Sequence, residues 1–265
     1  MSDVLRVARS GPGDSVARVT LARPEVRNAF NAELIGVLHE TFARLASEPA
    51  DALRAVILQG EGKAFSAGAD IAWQRDALGL PMNDNLADAG RLQAMLAAID
   101  QCPAPVIVRA HGAVLGGGMG LCAVADVVVA TADAVFGFTE TKLGILPAVI
   151  SPYVLARIGE GHARALFMTG QRFAAERALR IGLVHEVVAD EATADARVEE
   201  LVGELLTAGP TAAREAKALI RAWRSMASGD FSAHALRVAA RQRVSGEGQE
   251  GLTAFLDKRA PNWRA

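Results

Sequence analysis

The sequence predicts an α/β protein whose last quarter is purely helical. Three observations carry that expectation. From Val4 to about residue 190, short apolar runs of strand character alternate with segments of helical spacing. Glycine- and proline-rich turns separate them closely enough to give repeated βα units. Beyond residue 190 the strand signals stop, and only helical periodicity remains.

Taken in order, Val4–Ala8 and Val16–Leu21 flank a GPGDS turn and read as a hairpin. The turn Ala22-Arg23-Pro24-Glu25 follows. Asn31 then caps a helix to about Leu45, with Leu34, Leu38, Phe42 and Leu45 on one face. Ala55–Leu58 is a buried strand that ends in the loop Gly60-Glu61-Gly62-Lys63. Pro81–Asp88 is polar and reads as a mobile loop ahead of a helix over Ala87–Ile99. Pro103 and Pro105 stop that helix and open the strand Val106–Ala110. His111-Gly112 turns the chain, a helix starts at Gly116–Ala123, and Val127–Ala130 is again a strand. Glu191–Leu206, Pro210–Met226, Phe231–Val244 and about Gln249–Lys258 then read as helices. We divide the chain into an α/β core, residues 1–195, and a helical region, residues 196–265, of the kind that packs on a partner subunit.

Composition narrows the function classes. A chain of 265 residues suits one large domain or a domain with an appendage, since cores stop growing near ~250–300 residues. Hydrophobic residues make up 51% and charged residues 22%, which excludes a disordered chain. A net charge of −2 gives no bulk attraction for phosphate backbones, so nucleic acid is not an expected partner. The longest apolar run, Ala123–Ala130, is broken by Asp126 and is far short of the ~20 residues of a membrane span. The start, MSDVLRVARSGPGDS, shows no apolar leader. Cys102 and Cys122 sit in apolar company and are too few for a disulfide framework, so a cytoplasmic, reducing setting is expected. The 53 Ala and 24 Arg against 4 Lys reflect codon bias and carry no chemistry.

Three segments hold residues that chemistry could use. In Lys63-Ala64-Phe65-Ser66-Ala67-Gly68-Ala69-Asp70-Ile71, small residues crowd a strand-to-helix turn. They either pack tightly in the core or leave backbone N–H groups open to an anion. Asp70 is placed to cap the next helix. In Leu115-Gly116-Gly117-Gly118-Met119-Gly120, three glycines open an apolar helix, for close packing or to bare an amide. The segment lacks the spacing of a dinucleotide or P-loop site. In Phe136-Gly137-Phe138-Thr139-Glu140-Thr141-Lys142-Leu143-Gly144-Ile145-Leu146-Pro147, one carboxylate stands in apolar company. Desolvation there would raise the pKa of Glu140 toward that of a general acid/base. The alternative is a surface ion pair with Lys142 or Arg157. His111 reads as a turn histidine bonded to backbone, and Asp126 as a helix-to-strand junction. Trp73 and Met95 line a pocket or belong to the core. No His/Cys cluster has ligand spacing, so no metal or redox cofactor is expected.

Together and in this order, the three segments resemble the crotonase (enoyl-CoA hydratase/isomerase) superfamily. LARPEVRNAFN near the start and EGLTAFLDKRAPNW near the end are similar to that family's termini. The resemblance implies a spiral of ββα units with a helical C-terminal region that drives trimerisation, often to hexamers. It implies a coenzyme A thioester held in an oxyanion hole by the amides of Ala69 and Gly117, with Ala67, Asp70, Ile71 and Gly116 among the residues that bind the substrate and its coenzyme A. It matches Glu140 to one of two glutamates of the hydratases, while Gly120 stands where the other is expected. Arg23 and Arg27, with Phe255 and Lys258 from the tail or a neighbouring subunit, become candidates for binding coenzyme A. The string from Glu140 through Ala-Val-Ile-Ser-Pro-Tyr is similar to bacterial methylglutaconyl-CoA and isohexenylglutaconyl-CoA hydratases. A second substrate carboxylate would then need a receiver among Arg75, Lys142 and Arg157. The implied activity is hydration of an enoyl-CoA. The alternatives are an enoyl-CoA isomerase working with one glutamate, and a catalytically impaired CoA- or RNA-binding relative.

Overall fold

The computed structural model describes residues 3–264. A six-stranded sheet runs through the molecule in the order β1-β2-β3-β4-β6-β9. Its strands are β1 (Leu5–Ser10), β2 (Val16–Leu21), β3 (Ala55–Gly60), β4 (Val106–Ala110), β6 (Val127–Thr131) and β9 (Glu186–Val188). The hairpin β1–β2 is antiparallel and every later pairing in this sheet is parallel. A smaller sheet joins β5 (Ala113–Leu115), β7 (Val135–Gly137) and β8 (Arg172–Ala174). The chain alternates between the two sheets. β4 leads to β5 and then to helix α4 (Gly117–Val124). β6 leads to β7 and, past a 3-10 turn at Glu140–Leu143, to α5 (Ser151–Thr169). These are the expected ββα units.

Both faces of the large sheet are covered, which explains why its strands read as near-continuous apolar runs. Val56, Leu58, Val106, Val108, Val128 and Ala130 face the main core with α1 (Ala32–Ala46), α3 (Met82–Gln101) and α4. Their neighbours Ala55, Ile57, Ile107 and Val129 face the other way and meet Ala194, Val198 and Val202 of α7 (Glu191–Thr207). The 195/196 division therefore falls inside a helix that closes the sheet. We place the change from core to tail at Gly209, between α7 and α8 (Pro210–Ser225). The remaining helices are α2 (Ile71–Asp76), α6 (Ala175–Arg180), α9 (Ser228–Val244) and α10 (Gly246–Leu256).

Several expectations hold in detail. Asn31 caps α1 by accepting from the Leu34 N–H at 2.9 Å. Asp126 accepts from the Val106 N–H at 2.7 Å at its junction, and also from the buried Lys217 of α8 at 2.6 Å, which ties the tail to the sheet. Others need correction. The segment Pro81–Asp88 is helix: Pro81 is the cap residue, with φ −65°, and α3 starts at Met82. A proline fits there because its missing N–H is one the helix leaves unpaired anyway, and Asp84 favours the positive end of the helix dipole. The last helix begins earlier than read, at Gly246, because the Ser245 hydroxyl caps it, and it ends at Leu256. The strand β5 carries no signal of its own in three residues, and it forms by pairing with β7.

Candidate active site

The loop after β3 and the loop after β5 meet over one end of the core. The first is clamped to the segment before α1. The Ala67 N–H donates to the Arg27 carbonyl (2.9 Å), the Phe30 N–H to the Gly68 carbonyl (2.6 Å), and the Asp70 N–H to the Phe30 carbonyl (2.8 Å). Gly68 and Asp70 thus both face Phe30. By the alternation of extended backbone, the Ala69 N–H turns to the opposite side. Asp70 is buried and caps α2 by accepting from the Ala72 N–H at 2.8 Å. Its other oxygen accepts from Arg23 at 2.8 Å. Burial pushes the Asp70 carboxyl up, but the bonds from Arg23 and Ala72 outweigh it and hold the carboxyl below the usual range.

The second loop turns at Gly116, whose φ of +48° suits glycine and strains other residues. Gly117 is the first residue of α4, so its N–H has no acceptor within the helix. The two loops touch: a Cβ on Gly116 would stand 3.5 Å from the Gly68 Cα and 3.5 Å from the Glu140 Oε1. A Cβ on Gly117 would stand 2.6 Å from the ring of Phe30.

Between the loops lies a cavity of about 570 Å³. Ala67, Ala69, Ile71, Gly116, Gly117 and Glu140 all line it, so the three segments of the sequence converge on one space. Its apolar walls come from Phe30, Trp73 and the stretch Leu143–Ile150. Glu140 is the sole carboxylate among the lining residues. Burial pushes its carboxyl pKa up, offset only in part by a hydrogen bond to backbone N–H, and Oε2 is buried without a partner. The surface ion pair considered for Glu140 is therefore absent. Arg157 lies elsewhere, with its Nη2 donating to the Cys122 carbonyl at 3.4 Å.

Gly120 is buried on α4, and its missing side chain is replaced by neighbours. A Cβ there would stand 2.6 Å from Ile150 Cγ2 and 3.3 Å from Leu96 Cδ2. Two apolar side chains fill the place where a second carboxylate would begin.

Most of the remaining expected residues lie outside the cavity. Arg23 is held by Asp70 and the Ala29 carbonyl, so its guanidinium is not free for a phosphate. Arg27 is exposed beside the first loop, with φ +54°. Phe255 on α10 and Lys258 just beyond it are exposed and do not line their own chain's cavity. Trp73 lines the cavity, whereas Met95 is buried core. His111 bonds the Gly62 carbonyl at 2.8 Å and Arg109 at 3.0 Å, as expected of a turn histidine. Neither Arg75 nor Lys142 reaches the lining. The cation that does, Arg172 of β8, was missed. It sits opposite Gly137 in the β7–β8 register, a long-range pairing with no local signal in the sequence. Among the described residues, no group of three or more His, Cys, Asp or Glu is placed to hold a metal ion.

The sequence profile of the enoyl-CoA hydratase/isomerase family matches residues 12–265. The probable enoyl-CoA hydratase of Rhodobacter capsulatus is 35% identical over 260 residues, covering 94% of this chain and 95% of its own. Among solved structures, Pseudomonas aeruginosa AtuE is similar with a TM-score of 0.94 and 37% identity, over 99% of this chain and 100% of its own. An enoyl-CoA hydratase of Shewanella pealeana is similar with a TM-score of 0.91 and 34% identity, over 98% and 96% of the two chains.

Proposed function

The chain belongs to the enoyl-CoA hydratase/isomerase family, and on that premise we propose that it is a hydro-lyase that adds water across the α,β double bond of an enoyl-CoA thioester. The observation that carries this reading is the convergence of Ala69, Gly117 and the desolvated Glu140, whose Oε2 has no partner, on one cavity. The thioester oxygen sits between the Ala69 and Gly117 N–H groups. Charge that develops on it is met by donors already in place, an effect worth about 2.7–4 kcal/mol per donor in other enzymes. Glu140, as carboxylate, takes a proton from water while the water oxygen bonds to C3. The π electrons of C2=C3 move to the thioester as an enolate. The Glu140 carboxyl then returns the proton to C2. Water is consumed, no electrons leave the system, and no cofactor is called for beyond the coenzyme A of the substrate.

For the acyl group we propose a branched glutaconyl-type thioester, 3-methylglutaconyl-CoA or isohexenylglutaconyl-CoA. Arg172 supports this choice, because it is the one cation lining the cavity among the described residues and no ion pair engages it. It replaces Arg75, Lys142 and Arg157 as receiver of the second carboxylate. Coenzyme A is proposed to meet Arg27 of its own subunit and Phe255 and Lys258 of a neighbour. Arg23 acts indirectly, through Asp70. A trimer or hexamer is supported by apolar side chains that the tail leaves exposed, among them Ile220, Trp223, Leu236 and Phe255. A cytoplasmic setting is supported by two free, buried thiols, and no helix among the described residues is long and apolar enough to cross a membrane.

The packing of Gly120 favours a second reading. With one carboxylate, the site can also take a proton from C2 of a 3-enoyl thioester and return it to C4. Offering crotonyl-CoA, 3-methylglutaconyl-CoA and a 3-enoyl-CoA, with products read by mass and NMR, separates the two. Gain of one water, fastest on the glutaconyl thioester, supports hydration of the proposed substrate. Double-bond migration without mass change makes the enzyme an isomerase. Bound thioester without turnover points to a binding protein.

A further inference from the structure

We propose that Phe30 is a positioning residue that sets the spacing of the two oxyanion donors, joining them through its backbone on one side and its ring on the other. The inference rests on Ala69 and Gly117 being those donors. Three observations assign the role. The Phe30 N–H and carbonyl bracket Ala69 by bonding Gly68 and Asp70 at 2.6 and 2.8 Å, which turns the Ala69 N–H away toward the cavity. The Phe30 ring lies against Gly117, with two ring carbons 2.6 and 2.7 Å from where a Cβ would be, so the first turn of α4 rests directly on the ring. Phe30 itself is 1% exposed, its neighbour Ala29 is held by Arg23, and Asn28 donates to the Ala64 carbonyl at 2.8 Å. These bonds hold the segment on the N-terminal side of Phe30. The two loops are joined by backbone further back, where the Leu115 N–H donates to the Ser66 carbonyl at 2.9 Å, but no backbone hydrogen bond joins Ala69 to Gly117, and Phe30 is the residue that contacts the chain at both. One aromatic side chain in close-packed contact is a stiff spacer.

A donor displaced by under an ångström weakens its bond to the transition state while leaving substrate contacts elsewhere unchanged. The test is Phe30→Leu, which keeps the backbone bridge and most of the apolar bulk but removes the ring edge. Steady-state kinetics are paired with isotope-edited infrared spectra of a bound, ¹³C=O-labelled enoyl-CoA. The expected result is a fall of about tenfold in kcat, with KM within threefold. The bound carbonyl stretch should move back toward its value in water. Phe30→Ala should give a larger loss of the same kind, provided its circular dichroism shows it folded. A folded Phe30→Leu protein with kcat within twofold and an unchanged carbonyl stretch overturns the inference. So does a loss of activity with the carbonyl shift intact, which marks a merely structural role. If the wild-type protein itself shows no carbonyl shift, the oxyanion reading fails first.

Discussion

Replacing Gly120 by alanine tests whether Ile150 truly fills the place of a second carboxylate. Gly120 lies inside α4 with ordinary helical backbone, where alanine normally stabilises by about 0.5–1 kcal/mol. Here the new Cβ would stand 2.6 Å from Ile150 Cγ2 and 3.4 Å from Ile150 Cβ. That methyl is part of a β-branched side chain that is 3% exposed, so it has little freedom to swing aside. Overpacking of this kind costs about 1–3 kcal/mol. The net expectation for Gly120→Ala is a loss of about 1 kcal/mol, or roughly 2–4 °C in Tm for a chain of this size. Ile150→Ala removes the obstructing methyl, so in that background Gly120→Ala should change sign and stabilise by about 1 kcal/mol. Ile150→Val keeps Cγ2 and should not rescue. The assay is thermal and urea unfolding of the double-mutant cycle at fixed protein concentration. A stabilising Gly120→Ala in the wild-type background, or a coupling near zero, would refute the packing account.

Three further outcomes follow from the same geometry. Glu140→Gln should be more stable than wild type at neutral and higher pH. Because the folded-state pKa of Glu140 is raised, the folded protein holds its proton longer than the unfolded chain, so wild-type stability falls as pH rises from about 4.5 through the folded pKa. The Tm gap between the two proteins should grow over that range and close below it, and a constant gap would contradict the burial argument. Arg172→Gln should lower kcat/KM for a glutaconyl thioester about tenfold, from the loss of one charge-assisted bond, while leaving crotonyl-CoA nearly unchanged. Equal losses on both substrates would remove Arg172 as a carboxylate receiver. Asp70→Ala should cost about 2–4 kcal/mol in urea unfolding, since it deletes a helix cap and leaves Arg23 partly buried without its partner. A cost near that of the cap alone, about 1 kcal/mol, would show that the ion pair contributes nothing.

Much of this was legible in the sequence because it is local. The Asn31 and Asp70 caps, the hairpin and the ββα order each depend on residues near one another, and the sequence marks them with capping side chains and turn glycines. The two loops that meet at the cavity were legible as runs of small residues, and Glu140 as a carboxylate among apolar neighbours. What the sequence hid depends on tertiary contact. Arg172 reaches the cavity only because β8 pairs with β7. Ile150 and Phe30 look like ordinary core residues until α4 is laid against them. Arg23 is one arginine among many until Asp70 is brought to 2.8 Å from it. Pro81 misled because a proline in a polar stretch marks a loop and a helix start equally well.

The central claim is that a single carboxyl, Glu140, moves the α-proton in this cavity. Exchange of that proton with solvent deuterium tests it most directly. The 3-hydroxyacyl-CoA product would be incubated with enzyme in heavy water and followed by mass. The wild-type protein should incorporate one deuterium at C2, and Glu140→Gln should slow that exchange about 10³-fold, within the range expected for loss of a general base. A Glu140→Gln protein that exchanges within tenfold of wild type would contradict the account.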